Sequence, residues 1–292
     1  MDEKDWDILT TIYEEKNITK AAQRLYTSQP ALTYRINQLE KEFKIKIFVR
    51  GKRFIKFTAE GEHLAKYAQK MNSELMKLKN RIQDIKGSIS GELRIGASSN
   101  FALYELPEIL KRFHTEYPKV QFKIHTGLNT SIIKSLEEEK DHISIIGGDI
   151  DWKDSKLFLK ENRICIISKE PINLNDLPDL PRITFSLDPT AKNTDKSWWE
   201  ENYSRPPLIR MEVDKVETCK EMVLKGLGYG IVPKYAIERE EDINNLYILP
   251  LTHKDGTYIS RNICAYYYKD DLELSTVKAF INFLKDYYST TQ

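Results

Sequence analysis

The sequence predicts an α + α/β protein: an N-terminal winged helix-turn-helix, a long linker helix, and a C-terminal two-lobed α/β domain. Three observations predict it. Residues 17–56 read as two helices joined by a tight turn and followed by a basic hairpin. Residues 58–86 hold apolar side chains at heptad spacing. From residue 91 onward, strand-like and helix-like segments alternate, the texture of an α/β domain.

Residues 4–15 form a helix with Trp6, Leu9, Ile12 and Tyr13 on one face, suited to packing under the helices that follow. In NITKAAQRLYTSQPALTYRINQLEKEF, Asn17 or Thr19 can cap the first helix, whose inner face is Ala21, Ala22 and Leu25. Thr27 or Ser28 can cap the second, satisfying amide donors that a helix start leaves free. Pro30 then falls in the first turn, where its missing N–H costs nothing. Leu32, Ile36, Leu39 and Phe43 recur at helical spacing and make a buried stripe. Pro30, Tyr34, Asn37, Gln38 and Lys41 point away from it, with Thr33 and Arg35 on its flanks.

Two amphipathic helices and a short turn also occur in proteins that never touch DNA, so the period alone leaves both readings open. The next stretch separates them. KIKIFVRGKRFIKFT has apolar residues on both sides of RGK and reads as a short β-hairpin with a basic tip. From Thr27 to Lys56 there are eight Lys/Arg against two acids. A helix pair followed by such a hairpin is a winged helix. Its second helix would lie in the DNA major groove, and its wing would bring Arg50, Lys52 and Arg53 to phosphates or the minor groove.

From Thr58 to about Lys86 the apolar positions are Leu64, Ala68, Met71, Leu75, Leu78, Ile82 and Ile85. Steps of four and three alternate, and this 3.5-residue period suits a coiled coil. A helix packed on its own domain is the alternative. The narrow seam, with Lys66, Lys70, Lys77 and Lys79 around it, favours the coiled coil, with a second copy as partner in a symmetric dimer.

KGSISG at 86–91 is a hinge by composition. ELRIGAS follows as a strand, then a helix from about Tyr104 to Thr115, the strand VQFKIHTG, the helix NTSIIKSLEEE and the strand HISIIGG. RICIISKE opens a second unit, continued by RITFSLDP, a helix around Trp198–Tyr203, the strand LIRMEV, the helix VETCKEMVLKGLG and the strand in GYGIVPKYA. ISRNICAYYY returns toward the first unit, and a helix at 273–288 closes it.

A length of 292 residues suits two or three domains, and 40% hydrophobic with 30% charged residues describes a soluble globular chain. No apolar run is long enough to span a bilayer, and MDEKDWDIL lacks the order of a signal peptide, so a cytoplasmic protein without a membrane partner is expected. The net charge of +1 hides a balance of +6 over residues 1–90 and −5 over the rest, which assigns nucleic acid to the N-terminal part. Cys165, Cys219 and Cys264 are far apart and lie in apolar stretches, as buried thiols do; a redox switch is the alternative.

The stretch AAQRLYTSQPALTYRINQLEKEFKIKIFVRGKRFIKFTAEGE resembles the DNA-binding domain of the LysR-type transcriptional regulators. That pattern's paired alanines, SQPA, LE pair, F-x-R wing and T-x-x-G stand here as Ala21–Ala22, Ser28–Ala31, Leu39–Glu40, Phe48-Val49-Arg50 and Thr58–Gly61. Phe43-Lys44 departs from the family's usual Leu-Gly and should alter the turn into the hairpin only slightly. More loosely, VLKGLGYGIVP is similar to a G-x-G-I-x-x-P signature of the family's effector-binding domain, through Gly228, Gly230, Ile231 and Pro233.

The resemblance implies a winged helix-turn-helix at 1–58, a dimerising linker helix at 59–87, and an effector-binding domain of periplasmic-binding-protein type at 91–292. Its first lobe would be 91–161 with 267–292, its second 162–266. Thr33, Tyr34 and Gln29 would contact bases, and Arg50, Arg53 and Ser28 would hold backbone or minor-groove positions. Pro30, Arg35, Asn37 and Lys52 complete the expected DNA-binding set. The implied partners are promoter DNA with an inverted repeat, a small-molecule effector, and the chain itself as dimer or tetramer, with RNA polymerase as a further candidate.

No G-x-S-x-G elbow, P-loop or clustered His/Cys ligand set is present, so neither an enzyme nor a metal or cofactor site is expected. The five histidines are scattered, and Glu137–Glu139 and Glu240–Asp242 read as solvated helix ends. Ligands of two-lobed α/β domains bind between the lobes. Ser98, Ser99 and Asn100 follow a strand and precede a helix, where amides and hydroxyls suit a carboxylate or serve as ordinary caps. Arg261 could pair with an anion or make a surface salt bridge. Thr126, Gly127, Gly147, Gly148 and Thr218 are further cleft candidates, though the glycines could equally serve tight turns. Two other functions stay in view: a small-molecule binder with no DNA role, which the basic wing disfavours, and an enzyme built on the α/β part.

Overall fold

The computed structural model of the chain describes residues 1–50, 55–84, 89–238 and 240–289, and divides into two units, Met1–Gly87 and Ser88–Gln292. In the first, helix α1 (Glu3–Glu15) opens with a capping box in which the Asp2 and Asp5 carboxylates each accept the other's backbone N–H. Asn17 caps α2 (Ile18–Arg24) and Ser28 caps α3 (Gln29–Phe43), with Pro30 in the first turn of α3. Thr19 instead donates its hydroxyl to Gln29 Oε1 at 3.2 Å. The wing is the antiparallel pair β1 (Phe48–Arg50) and β2 (Ile55–Phe57), with Phe48 opposite Phe57. Helix α4 (Ala59–Asp84) follows.

One core joins these elements: Leu9 and Ile12 of α1, Ala21 and Ala22 of α2, Leu32, Ile36 and Leu39 of α3, the wing phenylalanines, and Leu64, Ala65 and Ala68 of α4. Phe43, expected in the buried stripe of α3, is instead 40% exposed. It is the last residue of the helix, and the chain turns away at Lys44, which adopts a left-handed φ of 56°. Glycine meets no Cβ penalty in that conformation, which explains the usual Leu-Gly at these two positions. The expected seam of α4 also divides. Leu64 and Ala68 belong to this core, whereas Leu78 and Ile82 are 53% and 51% exposed. Ile85 lies outside the described residues.

In the second unit, strand β3 (Gly91–Ser98) runs into α5 (Ser99–Tyr104) and then α6 (Leu106–Glu116). The helix expected from about Tyr104 to Thr115 is α6, and the short α5 before it was not expected. Pro107 keeps the two apart, because its missing N–H and fixed φ suit the first turn of α6 and not the interior of a helix continued from α5. Strand β4 (Val120–Gly127), helix α7 (Asn129–Glu137) and strand β5 (Ile143–Gly147) follow, with β3 parallel to both β4 and β5. The 14-residue strand β6 (Ser155–Ser168) leads out of this lobe. The second lobe holds β7 (Arg182–Phe185), α8 (Pro189–Asn202), β8 (Ile209–Val213), α9 (Val216–Leu224), β9 (Gly230–Pro233), α10 (Glu240–Asn245) and β10 (Tyr247–Pro250). Strand β11 (Ser260–Tyr267) returns, and α11 (Ser275–Ser289) packs into the first lobe's core through Val277, Phe280 and Leu284.

Strands β6 and β11 are the crossing pair. Over residues 155–163 β6 pairs antiparallel with β11, and over 164–168 it lies between β9 and β10. Strand β11 meets β5 from Ile263 onward, so the return into the first lobe begins a few residues before the boundary at 267 suggested by the sequence. The second lobe's core gathers Ile167, Ile183, Val216, Val223 and Val232, beside a cluster around Trp198, Trp199 and Tyr229. Gly228 sits at φ 155°, where a Cβ would overlap the Pro181 carbonyl, and a Cβ on Gly230 would come within 2.8 Å of Cys219 Sγ. Close approach of backbone thus accounts for both glycines of GYG. Asp242 corrects the reading of residues 240–242 as a solvated helix end. It is 3% exposed and accepts a hydrogen bond from Lys220 Nζ at 2.7 Å.

Candidate functional site

On α3, the side chains of Gln29, Pro30, Thr33, Tyr34 and Asn37 line one shallow solvent-facing depression. The buried stripe of α3 fixes this outcome, because Leu32, Ile36 and Leu39 hold the opposite face against the core. Tyr34 is the most prominent member, 65% exposed. Ser28 stands at the head of this face, its Oγ accepting the Ala31 N–H. Arg35 is directed elsewhere. Its Nε and Nη2 lie 2.5 and 2.7 Å from the Asp5 carboxylate, which has no solvent exposure, and its Nη1 donates to Gln38 Oε1 at 2.8 Å. Burial pushes the Asp5 carboxyl up, but the hydrogen bonds from Arg35 and from the Asp2 backbone outweigh it and hold the group below the usual carboxylate range.

Arg50 ends strand β1; its side chain, and the whole of Lys52 and Arg53, lie outside the described residues. The wing's footing is defined. Glu40, 9% exposed, accepts the Ile47 N–H at 2.9 Å and the Lys46 Nζ at 2.6 Å. Thr58 donates its hydroxyl to the carbonyls of Lys46 and Ile47 and accepts the Gly61 N–H at 3.0 Å. These bonds supply the physical content of the LE pair and of T-x-x-G.

In the second unit, a cavity of about 720 Å³ opens between the lobes. Ser98, Ser99, Asn100, Thr126, Gly127, Gly147 and Arg261 all line it, brought together by the C-terminal ends of β3, β4 and β5 and by the start of β11. Two expected residues do not. Thr218 is exposed on α9, one residue past the lining side chains Val216 and Glu217. Gly148 is buried behind Arg261, where a Cβ would meet the guanidinium at about 2.5 Å.

Arg261 is an interlobe contact rather than a surface salt bridge. Its Nη2 donates to the Gly147 carbonyl at 2.7 Å in the first lobe and to Asp188 Oδ1 at 3.0 Å in the second. Asp188 also caps α8 by accepting the Ala191 N–H. It lines the cavity and sequence reading missed it, although its place in S-L-D-P before a helix is a legible N-cap signal. Tyr235 was missed too. Burial pushes its phenol up to about 12, opposed by a hydrogen bond to Asn100, so it faces the cavity protonated. The rest of the lining is mostly apolar, including Leu103, Leu128, Phe185, Trp198 and Ile231. Its charges are four carboxylates, Asp188, Asp195, Asp214 and Glu217, against Lys215 and Arg261.

A winged helix-turn-helix with an exposed recognition face, joined to a two-lobed α/β domain with an interlobe cavity, defines a ligand-responsive DNA-binding regulator. Residues 4–62 match the model of the bacterial regulatory helix-turn-helix protein, lysR family, and residues 86–289 match that of the LysR substrate binding domain. The chain is 42% identical over 285 residues to the uncharacterized HTH-type transcriptional regulator YraN of Bacillus subtilis, covering 98% of each protein. It is 32% identical over 281 residues to YkuM of the same organism, covering 96% of this chain and 95% of YkuM. In fold it is similar to full-length OxyR from Pseudomonas aeruginosa, with a TM-score of 0.71 at 17% identity over 98% of this chain and 95% of that one. The same holds for full-length CbnR in complex with its target DNA, with a TM-score of 0.67 at 16% identity over 98% and 99%. The chain belongs to the LysR family of transcriptional regulators. It is a DNA-binding regulator whose C-terminal domain answers to a small-molecule effector, and it is not an enzyme. Among the described residues, no helix is long and apolar enough to cross a membrane.

Proposed function

We propose that the chain works in the cytoplasm as a dimer joined through α4, assembling further to a tetramer, and binds promoter DNA at an inverted repeat. The observation that carries the reading is the α3 face, where exposed Gln29 and Tyr34 and half-buried Thr33 stand beside one another. Side chains on such a face reach base edges in the major groove, and a twofold dimer reads two half-sites. Ser28 and the wing cations Arg50, Lys52 and Arg53 hold the phosphate backbone or minor groove, with Pro30 and Asn37 completing the contact surface. Arg35 contributes by holding its neighbours, since Asp5 and Gln38 take three of its five N–H donors. RNA polymerase is a further partner on the promoter. In competition binding, Tyr34→Ala and Thr33→Ala weaken binding to the operator more than to random DNA. Equal losses on every sequence would remove them from the base-reading set.

The effector of this proposal is a carboxylate-bearing metabolite with an apolar body, bound between the lobes within the domain at 91–292. Its acid group meets Ser98, Ser99 and Asn100, with Thr126 and Gly127 beside them, and its body meets Leu103, Phe185 and Trp198. Arg261 is held by Asp188, so an effector carboxylate gains that charge by taking the place of Asp188. Such a ligand shifts DNA binding only if it prefers one arrangement of the oligomer to another.

A further inference from the structure

We infer that Tyr34 reads DNA as a hydrogen-bond donor, so that each half-site carries a major-groove acceptor (purine N7, guanine O6 or thymine O4) at the position it touches. The inference rests on the reading of the α3 face as the base-contacting surface. It starts from a carboxylate in the core. Asp5 is fully buried and takes two charge-assisted hydrogen bonds from Arg35, which fixes the guanidinium on the edge of α3. The remaining arm, Nη1, lies 2.8 Å from Gln38 Oε1. A guanidinium has donors only, so Gln38 must turn its carbonyl oxygen toward Arg35 and its NH₂ the other way. The NH₂ then faces Tyr34 Oη at 2.8 Å. An amide NH₂ also only donates, so Tyr34 accepts that bond, and its own O–H hydrogen is left directed outward from an exposed position.

Asp5, Arg35 and Gln38 therefore act as positioning residues that set the polarity of Tyr34, relayed from a buried carboxylate far from it in sequence. In the major groove, guanine offers N7 and O6, adenine N7 and thymine O4 as acceptors, whereas cytosine offers only a donor. A tyrosine with unrestrained polarity accepts or donates and discriminates little. One whose acceptor side is occupied by Gln38 disfavours cytosine at its contact.

The test uses the full chain and a duplex site that the wild-type protein selects from a random pool. Affinities of wild type, Tyr34→Phe and Gln38→Met are measured on that site at one salt concentration. They are then measured on versions carrying single analogues: 7-deazaguanine or 7-deazaadenine, which lack N7, and 6-thioguanine or 4-thiothymine, whose sulfur is a poor acceptor. At one position per half-site, one analogue is expected to weaken wild type about three- to tenfold. Tyr34→Phe should lose the same factor on the natural site and be indifferent to that analogue, and the identity of the analogue names the acceptor. Gln38→Met should narrow the preference over cytosine at that position. A consensus with Tyr34→Phe as tight as wild type, or with every analogue affecting both proteins equally, overturns the inference alone. So does a Tyr34→Phe loss that is the same on random DNA, because the hydroxyl then serves a phosphate. A pool that yields no consensus overturns the base-reading surface and this inference together.

Discussion

Asp5 has no exposure and Asp242 only 3%, and the two acids differ in how far their bases are withdrawn from water. The Lys220 side chain is 7% exposed, so removing its partner leaves an uncompensated buried charge. Asp242→Asn is expected to destabilise the 88–292 unit by about 3–5 kcal/mol in denaturant unfolding, and Lys220→Met with Asp242→Leu to recover most of that loss. Arg35 is 36% exposed, and water can partly replace Asp5, so Asp5→Asn should cost about 1–2 kcal/mol. The folded pKa of Asp5 is depressed, so its stabilisation is present above the unfolded value of about 3.9 and is lost as pH falls through the folded value. The advantage of wild type over Asp5→Asn should therefore shrink below about pH 4; a constant difference from pH 7 to pH 3 would refute the depressed pKa. Burial pushes the Cys165 thiol up to about 11 and the Cys219 thiol to about 12, and Cys264 is also raised by burial, so the three sites lack the thiolate character of a redox switch.

At the scale of elements, the junction of wing and linker helix hangs on one glycine. Helix α4 backs onto the Ile47 carbonyl at Gly61, and a Cβ there would overlap that backbone oxygen. Gly61→Ala is expected to lower the stability of the 1–87 unit by about 1–3 kcal/mol, as overpacking does, with a matching loss of operator affinity. Unchanged unfolding would mean that α4 moves freely on the wing. The two halves of the α4 seam should also behave differently. Leu64 is 8% exposed within the core, so Leu64→Lys should unfold the 1–87 unit. Leu78 is 53% exposed in the single chain, so Leu78→Lys should leave that unit's stability within about 0.5 kcal/mol. If the seam meets a second copy, the same change should convert dimer to monomer in sedimentation and abolish tight operator binding. A Leu78→Lys chain that remains dimeric at low micromolar concentration would move the interface elsewhere.

At the scale of the molecule, the test is the effector. A metabolite that binds only the folded state raises the melting temperature, and a thermal-shift screen weighted toward carboxylates with apolar bodies should find one. Calorimetry then compares wild type with Ser99→Ala and Arg261→Ala. Both variants are expected to bind the effector about tenfold or more weakly, since hydrogen bonds to a charged group contribute about 1.5–3 kcal/mol. Unchanged affinity in both variants would place the acid group outside this site. Asp188→Asn separates charge exchange from simple pairing. It weakens the competitor for Arg261, so effector affinity should rise.

The sequence by itself determined the elements and the family. Caps at Asn17 and Ser28, Pro30 in a first turn, the stripe of Leu32, Ile36 and Leu39, and the alternating α/β segments are local signals. A helix or strand is specified by its own spacing and ends, so such signals survive without knowledge of the fold. Tertiary structure alone decided which charges are free. Arg35 looked like a flank of the recognition face until α1 brought Asp5 against it, from 30 positions away. Arg261 looked available to an anion until the crossing strands set it beside Asp188, 73 positions earlier, and Asp242 looked solvated until α10 laid it on Lys220. The heptad of α4 read as one continuous seam, yet only its first half is covered by the unit's own core. Burial and ion pairing depend on neighbours distant in the chain, and a pattern read along a single segment carries no record of what will be packed against it.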